Sequence, residues 1–415
     1  MLYKISNIKQ TIDFDKLYFY ITIIFAFTLP LSRAIISFSI IALPLIWIFE
    51  GQFKSKLKLI WEHKILQAIL LFLGFNLISL LWTQDYNNAE NTLRLYGYWI
   101  SIFVLSTSIK KDDIQKIITF FLYGMLLSEL IAYGVFFELW NFKHASINNP
   151  SPFMFWIDYS VFTAFTSILL LSRLFSNKYL KKEKILMFLF FLSTTGNLFL
   201  GLGRTGQVAL IVAIIVMILL YLKISLKSIF ITLILIISIY GTGYIISDTF
   251  KTRIQSGIND IQKMQNHAYD TSLGIRVVYW MISYDILKEN LFLGVGIGDY
   301  KQTMKVFLEK NNYHISEATK EFISNFHAHN QFLMIMIQTG FIGLLLMLNI
   351  FYQLYKLDID NLEVKKLSLL FLTIFFVSSM AEPLWLKQFT LALFVLFLGL
   401  FISASHTVPK NTIEL

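Results

Sequence analysis

Cysteine is absent from the 415-residue sequence. This absence excludes disulfide bonds, thiolate metal ligands and a cysteine nucleophile, and it suits a chain exposed to an oxidising compartment. No small-residue cleavage site follows the first apolar run, so that run is expected to remain as a membrane span. Low-complexity tracts and internal repeats of about 20 to 50 residues are also missing.

Apolar residues are abundant instead. They make up 56% of the chain, with 40 phenylalanines, and stretches long enough to cross a bilayer recur almost throughout. A single soluble core of this size would not need so many. The sequence therefore predicts an all-α polytopic membrane protein with twelve spans. These are 17–31, 32–49, 65–82, 93–108, 114–137, 153–174, 185–203, 205–222, 228–247, 330–355, 367–381 and 385–403.

The basic residues are distributed unevenly along the chain. The net charge of +9 would suggest a nucleic-acid partner in a soluble protein. If the N-terminus is cytoplasmic, however, the termini and loops on that side carry 21 basic and 11 acidic residues, whereas segment 248–329 carries nine of each. The excess is then the positive-inside signal of a membrane protein. It predicts cytoplasmic N- and C-termini, contact with the lipid bilayer and no nucleic-acid partner.

The predicted spans divide the chain into four parts. Residues 1–247 hold spans 1–9, residues 248–329 form a large extracytoplasmic loop, residues 330–403 hold spans 10–12, and residues 404–415 form a cytoplasmic tail. The loop is the only part large enough to build a site outside the bilayer.

Two helices are expected within this loop. Segment 272–289 has apolar residues at helical spacing, including Trp280 and Tyr284, which predicts an amphipathic helix at the membrane interface. The glycine-rich segment 291–300 predicts a turn, and Asp299 is expected to cap a short helix over 300–310.

Three titratable residues share one local setting on the predicted outer side. Arg204 and His329 each precede an apolar span, and Arg276 lies in the first turn of the amphipathic helix. Each is thus expected at a helix N-terminus. The predicted capping residues are Thr205, Ser272 and Asn330.

Helix N-termini and guanidinium groups suit a phosphate ligand, above all a diphosphate. The N-termini present unpaired N–H groups and partial positive charge, and arginine binds phosphate oxygens in pairs. The same positive end favours a neutral His329, and a neutral imidazole can act as a base.

Simpler interpretations compete for each of these residues. Arg204 on its own is more typical of an anchor at the membrane interface. Arg276 could pair with Asp270 or Asp285 in a surface ion pair. His327 and His329 are also compatible with ordinary interfacial polar residues.

A metal site is not favoured, because the sequence has no H-x-x-x-H or H-E-x-x-H spacing. Gly340 and Gly343 are expected to be close-packing points between helices.

Further polar residues are weaker candidates. Glu129 and Asp158 lie in or near spans 5 and 6, where ionisable groups are costly and are functional candidates by default. Basic or titratable groups on the outer side can line the path of an anionic substrate. These are Arg33, Arg94, His144 and Lys387, with His327 and Asn330 beside the proposed base.

The chain resembles the bacterial O-antigen ligases in three places. His329-Asn330, nine residues, and then Gly340-x-x-Gly343 is similar to the family's H-[N/S/Q]-x9-G-x-x-[G/T/Y] pattern. TSLGIRVVYW at 271–280 resembles the periplasmic-loop segment with an essential arginine, and GRTG at 203–206 resembles the arginine-bearing start of a span. Length, span number and the large loop are similar as well.

The resemblance implies a fold like that of the lipid-linked-donor (GT-C-like) glycosyltransferases and a site on the periplasmic face of the bacterial inner membrane. The implied reaction transfers a glycan from undecaprenyl diphosphate to the lipid A-core oligosaccharide without cofactor, nucleotide or metal. Arg204 and Arg276 would hold the diphosphate, and His329 would activate the acceptor hydroxyl. An in-line displacement would invert the anomeric centre.

Two other functions stay open at this point. A polysaccharide polymerase or a protein oligosaccharyltransferase of the same superfamily shares much of the pattern. A transporter or flippase is compatible with twelve spans, although such proteins are expected to show internal pseudo-symmetry and midplane ionisable residues, and here the two halves do not match.

Overall fold

The computed structural model describes residues 12–142, 144–222 and 225–405, which are helical almost throughout. The predicted tail beyond residue 405 lies outside the described residues. In chain order the α-helices are α1 Phe14–Thr28, α2 Arg33–Glu50, α3 Phe53–Glu62, α4 Lys64–Ile78, α5 Tyr86–Tyr96, α6 Ile100–Ser108, α7 Ile114–Phe136, α8 Trp156–Leu174, α9 Lys181–Leu200, α10 Arg204–Tyr221, α11 Leu226–Ile246, α12 Asp248–Gln265, α13 Gly274–Glu289, α14 Tyr300–Lys310, α15 Glu317–Asn325, α16 Gln331–Lys356, α17 Leu362–Ser379 and α18 Gln388–Ala404.

Each of the twelve predicted spans contains a helix, and the all-α fold with apolar helices of membrane-spanning length is confirmed. Within the described residues, eight helical segments are long and apolar enough to cross a bilayer: Arg33–Glu50, Lys64–Leu81, Lys111–Phe136, Trp156–Leu174, Lys181–Leu200, Arg204–Tyr221, Leu226–Ile246 and Gln331–Lys356. Among the others, α1 has 15 residues and α18 has 17. The count of twelve spans and the division into four parts stay predictions.

Helix α8 lies at the centre of the bundle. Its membrane-length window is 89% buried, whereas that of α11 is only 6% buried and has its surface free for lipid. Small polar residues such as Ser160, Thr163 and Ser167 line α8, and small side chains allow helix backbones to approach closely. The start of α10 and the loop before α18 therefore lie within reach of the same end of α8.

Helix α16 is kinked at Gly340, which has a φ of 65°. The kink breaks backbone hydrogen bonds, and a loop at 291–296 replaces them. Phe341 N donates to Leu291 O (2.8 Å) and Ile342 N to Phe292 O (3.3 Å), while Val295 N and Gly296 N donate to the carbonyls of residues 337 and 338 (both 2.9 Å). A kink in a membrane helix is tolerated where its freed backbone groups find such partners.

The expected role of Gly340 and Gly343 as helix-to-helix packing points is wrong. A Cβ at Gly340 would collide with Phe292 O, which belongs to the loop. A Cβ at Gly343 would collide with the Thr339 side chain of its own helix. The glycine motif thus permits the kink and its loop contact.

Segment 248–329 folds into helices α12 to α15, whose apolar cluster includes Tyr279, Tyr300 and Ile323 and extends to Met334 of α16. The predicted amphipathic helix is α13, two residues shorter at its start. Its buried face contains Val278, Tyr279, Ile282 and Ile286, while Trp280 and Tyr284 of the predicted apolar stripe are exposed. These two aromatic residues face away from the protein core, whereas Ile286 of the same stripe is buried in it.

Candidate active site

A cavity of about 900 Å³ opens at the end of the bundle where α10, α13 and α16 begin. It brings Arg204, Arg276 and His329 together from segments far apart in sequence. We call it the cationic cavity. Its other polar lining residues include Arg33, Arg253, His327, Glu382, Lys387 and Asp158, and its aromatic lining includes Phe155, Trp156, Phe322, Phe326 and Phe389. Arg94, His144 and Asn330 are not part of this lining.

The GRTG segment positions Arg204 through its glycines. A Cβ at Gly203 or Gly206 would collide with Ser160 of α8, and the Gly206 N–H donates to Ser160 Oγ (3.1 Å). Helix α10 therefore begins directly against α8, with Gly203 as its N-cap residue. The expected capping role of Thr205 is wrong because Thr205 lies inside the first turn. Arg204 Nη2 is buried and has no hydrogen-bond partner within the described residues.

Arg276 lies in the first turn of α13. Thr271 Oγ1 accepts from Gly274 N (3.0 Å) and Asp260 Oδ2 accepts from Leu273 N (3.1 Å), so Ser272 is not the cap. Burial lowers the pKa of Arg276, although the negative charge of Glu382 acts to raise it.

The alternative of a surface ion pair for Arg276 is wrong. Asp270 accepts hydrogen bonds from the Ser316 N–H (3.0 Å) and hydroxyl (2.8 Å). Asp285 is engaged by Lys288 and Tyr313 (3.0 and 2.9 Å). The guanidinium of Arg276 is thus left for the cavity.

Arg253 on α12 is a third arginine of this wall, and sequence reasoning missed it. Arg204 lies within electrostatic range of both Arg253 and Arg276. In the described part of the chain, none of the three has a carboxylate oxygen within 4.0 Å. Converging cations without acidic partners repel one another unless an anion lies between them. The only sequence signal for Arg253 was that it is a basic residue on an amphipathic helix.

His329 is held in an uncommon backbone conformation immediately before α16. Its φ is 35°, in the left-handed region that non-glycine residues seldom adopt. The next residue, Asn330, caps α16 as expected, because its Oδ1 accepts from the N–H groups of Phe332 (2.9 Å) and Leu333 (3.1 Å). The cap and the strained residue together fix the direction of the imidazole.

The partner of that imidazole is Glu382, between α17 and α18. His329 Nδ1 lies 2.7 Å from Glu382 Oε1, and Glu382 is fully buried. Lys387 Nζ lies 3.0 Å from Glu382 Oε2 and 3.4 Å from Asp158 Oδ1. Burial raises the pKa of Glu382, but the hydrogen bond from His329 and the charge of Lys387 outweigh it and lower the pKa to about 2.

This contact assigns the tautomer of His329. An ionised Glu382 only accepts, so Nδ1 carries the proton and Nε2 of the neutral ring has the free lone pair. Sequence reasoning missed Glu382. Its only signal was an acid in the short connection between two apolar segments, five residues before Lys387.

His327 differs from His329 in its environment. Its ring centroid lies 5.0 Å from that of His329, yet its Nδ1 is buried without a hydrogen-bond partner among the described residues. Burial lowers the pKa of His327 to about 4, although the negative charge of Glu382 acts to raise it. His327 is therefore neutral at pH 7.

The comparison with known families agrees with the motifs. Residues 188–348 match the family model Wzy_C, described as O-antigen ligase. The matched segment includes Arg204, Arg253, Arg276, His329 and Gly340. The match supports a relationship of this part of the chain to the O-antigen ligase family. No curated protein matches the chain. The match supports glycosyltransferase-like activity within the O-antigen ligase and polymerase superfamily.

The two acidic candidates Asp158 and Glu129 have different surroundings. Asp158 lines the cationic cavity and pairs with Lys387. Glu129 lies away from it and accepts hydrogen bonds from Thr194 (2.6 Å) and Ser193 (3.1 Å), which join α7 to α9. Glu129 thus has a structural contact that explains its burial.

His327, His329 and Glu382 form a geometric candidate for a metal site, with ligand atoms within 4.8 Å of one another. The expectation of no metal rested on spacing and overlooked Glu382. Lys387 already pairs with this carboxylate, and four arginines line the same cavity. A divalent cation would have to displace or tolerate these charges, so the electrostatics favour an anion.

Proposed function

We propose that the protein is an O-antigen ligase that transfers a glycan from undecaprenyl diphosphate to the lipid A-core oligosaccharide. The observation that carries this proposal is the composition of the cationic cavity. Arg204, Arg253 and Arg276, which have no acidic partner within 4.0 Å among the described residues, line it together with the His329–Glu382 pair. An anion-binding wall thus lies in the same cavity as a base, as a diphosphate leaving group and a hydroxyl acceptor require.

The arginines act on the leaving group. As the bond between the anomeric carbon and the phosphate oxygen breaks, its electron pair goes to undecaprenyl diphosphate, on which negative charge grows. Preorganised donors in a water-poor site stabilise such charge by roughly 3 kcal/mol each. Arg204, Arg253 and Arg276 fill this role in the proposal, with Arg33 and Lys387 on the same cavity wall.

His329 acts on the acceptor. Its Nε2 takes the proton of the acceptor hydroxyl while the oxygen forms the new bond to the anomeric carbon. Glu382 holds the ring in the required tautomer and stabilises the imidazolium that results. A positioned base contributes about 100- to 10,000-fold in rate. A single in-line displacement inverts the anomeric centre, and in this scheme the arginines supply the positive charge that a metal would supply.

The charge distribution supports the proposed orientation. The excess of basic residues on the termini and one set of loops predicts that this side faces the cytoplasm. The cationic cavity is formed by segments assigned to the opposite side. We therefore propose a multi-pass protein of the bacterial inner membrane with a periplasmic site.

A polymerase of the same superfamily is the second candidate, since it would use the same donor chemistry with a second lipid-linked glycan as acceptor. The two functions differ in the acceptor alone. The family match itself covers both.

The test is a transfer assay with purified protein, an undecaprenyl-diphosphate glycan and lipid A-core, in the presence of a chelator. We expect wild type to modify the core, and His329→Ala and Arg276→Ala to lose the product. Arg94→Ala is the matched control, because Arg94 is exposed and outside the cationic cavity.

Each outcome has a distinct meaning. Lengthening of the lipid-linked glycan with an untouched core would identify a polymerase. Product that disappears only with chelator would indicate a metal requirement, for which His327, His329 and Glu382 form the candidate site. Full transfer by His329→Ala and Arg276→Ala would overturn the site.

A further inference from the structure

A second, smaller cavity adjoins the cationic cavity at His327. Its volume is about 270 Å³, and it shares His327, Phe326 and Leu386 with the cationic cavity. We call it the amide cleft because asparagines of α5 and α15 line it. Its polar lining includes Asn88, Asn91, Thr92, Lys301 and Asn325.

The two cavities differ in charge. The cationic cavity is lined by four arginines and Lys387. The amide cleft has one cation, Lys301, which lies within electrostatic range of Asp85. A nearly neutral cleft lined by amides and hydroxyls suits a neutral, hydroxyl-rich ligand and gives no advantage to a diphosphate.

Three buried polar atoms of the cleft residues have no hydrogen-bond partner within the described residues. They are Tyr300 Oη, Gln338 Oε1 and His327 Nδ1. Tyr300 and Gln338 are each less than 5% exposed. Unpaired buried polar groups are costly and rare in folded proteins. Three of them around one cleft indicate that a polar ligand completes their hydrogen bonding.

We propose that the amide cleft binds the terminal sugar of the acceptor and that His327 is a positioning residue between this sugar and His329. This inference rests on the proposed glycan transfer. The volume lies just below the range of about 300 to 1,000 Å³ typical of ligand pockets, so it fits one sugar ring. The sugar occupies the cleft, and its reactive hydroxyl extends past His327 toward Nε2 of His329.

The test measures kcat and KM for each substrate separately. Asn91→Trp fills the cleft from an exposed position of α5, and the control Glu90→Trp places the same side chain on a neighbouring exposed position outside the cleft. We expect Asn91→Trp to raise the acceptor KM at least about tenfold while the donor KM stays within about twofold of wild type. Glu90→Trp should match wild type in both.

A second variant keeps the cleft open. Tyr300→Phe removes only the unpaired hydroxyl, so we expect the unfolding temperature to be retained and kcat/KM for the acceptor to fall about tenfold. His327→Asn should likewise raise the acceptor KM more than it lowers kcat.

The outcomes separate the inference from the function on which it rests. Wild type that transfers to neither lipid A-core nor a second lipid-linked glycan would overturn the proposed function. With active wild type, an unchanged acceptor KM in Asn91→Trp and Tyr300→Phe would overturn the inference alone. A rise in donor KM instead would assign the cleft to the donor glycan.

Discussion

The tasks proposed for His327 and His329 differ because only His329 has a carboxylate partner. His329 Nδ1 contacts Glu382 Oε1 at 2.7 Å, whereas His327 Nδ1 is buried and unpaired. A histidine base needs one ring nitrogen free to accept a proton and the other held as an N–H donor, and Glu382 accepts from Nδ1 of His329 in this way. The role assigned to each histidine therefore depends on one buried contact.

Glu382→Gln tests that contact at constant side-chain volume. The amide cannot stabilise the imidazolium, and it leaves Lys387 with Asp158 as its remaining acidic partner. We expect kcat for transfer to fall about 100- to 10,000-fold, with the donor KM changed much less. A variant that keeps kcat and loses donor affinity would show that Glu382 only anchors Lys387.

Arg253→Ala tests the arginine that the motifs did not indicate. Removal of one donor aimed at developing charge is expected to lower kcat about 100- to 1,000-fold. The measurement is single-turnover transfer with saturating acceptor, with exposed Arg94→Ala as the control. Equal rates for the two variants would exclude Arg253 from the site.

His327 predicts a dependence of stability on pH. Its pKa in the folded protein is about 4, below the ordinary 6.5, because burial disfavours the charged ring. Above pH 6.5 the ring is neutral in both the folded and the unfolded chain. As the pH falls from 6.5 toward 4, the unfolded chain takes up a proton that the folded protein does not, so the free energy of unfolding decreases. The groups acting on it are Glu382, Lys387 and His329.

The measurement is thermal unfolding in detergent at pH 7 and pH 4.5 for wild type and His327→Asn. We expect the difference between the two pH values to be smaller in the variant, which cannot take up this proton. Equal differences would show that other groups cause the loss.

At the scale of elements, local signals were predictable and long-range contacts were not. Apolar runs and the cap at Asn330 follow from neighbouring residues, and the structure confirms the helices and this cap. The caps assigned to Thr205 and Ser272 were wrong because a close approach at Gly206 and a side chain at Thr271 decided where the helices begin. Glu382 lies 53 residues from His329, and no periodic pattern reports such a pair.

The kink at Gly340 connects the glycine motif to the site. It directs the first half of α16, whose N-terminus carries Asn330 and His329, and its freed backbone groups bond to the 291–296 loop. Gly340→Ala adds a Cβ at positive φ against Phe292 O. We expect it to lower the free energy of unfolding by about 1–3 kcal/mol and to reduce transfer.

Gly241→Ala is the matched control for this prediction. Gly241 lies in α11 with nothing within 4 Å of an added Cβ, so the substitution should be neutral or stabilising. The measurement is thermal unfolding in detergent beside the transfer assay. A Gly340→Ala protein as stable and active as wild type would show that the kink is not required.

At the scale of the whole molecule, the proposed reaction requires the cationic cavity to face the periplasm. The charge pattern predicts this orientation, and the absence of cysteine makes it directly testable. Ala318→Cys on α15 and Asn177→Cys in the connection between α8 and α9 each introduce one thiol at an exposed position. Neither substitution changes the charge, so the signal under test is preserved.

A membrane-impermeant maleimide should label Ala318→Cys in cells whose outer membrane is permeabilised and whose inner membrane is intact. Asn177→Cys should react only after the inner membrane is opened. Wild type, with no thiol, gives the background for both. The reverse pattern would place the cationic cavity on the cytoplasmic side of the membrane. It would exclude the proposed periplasmic ligation, whatever chemical roles His329, Glu382 and the arginines have.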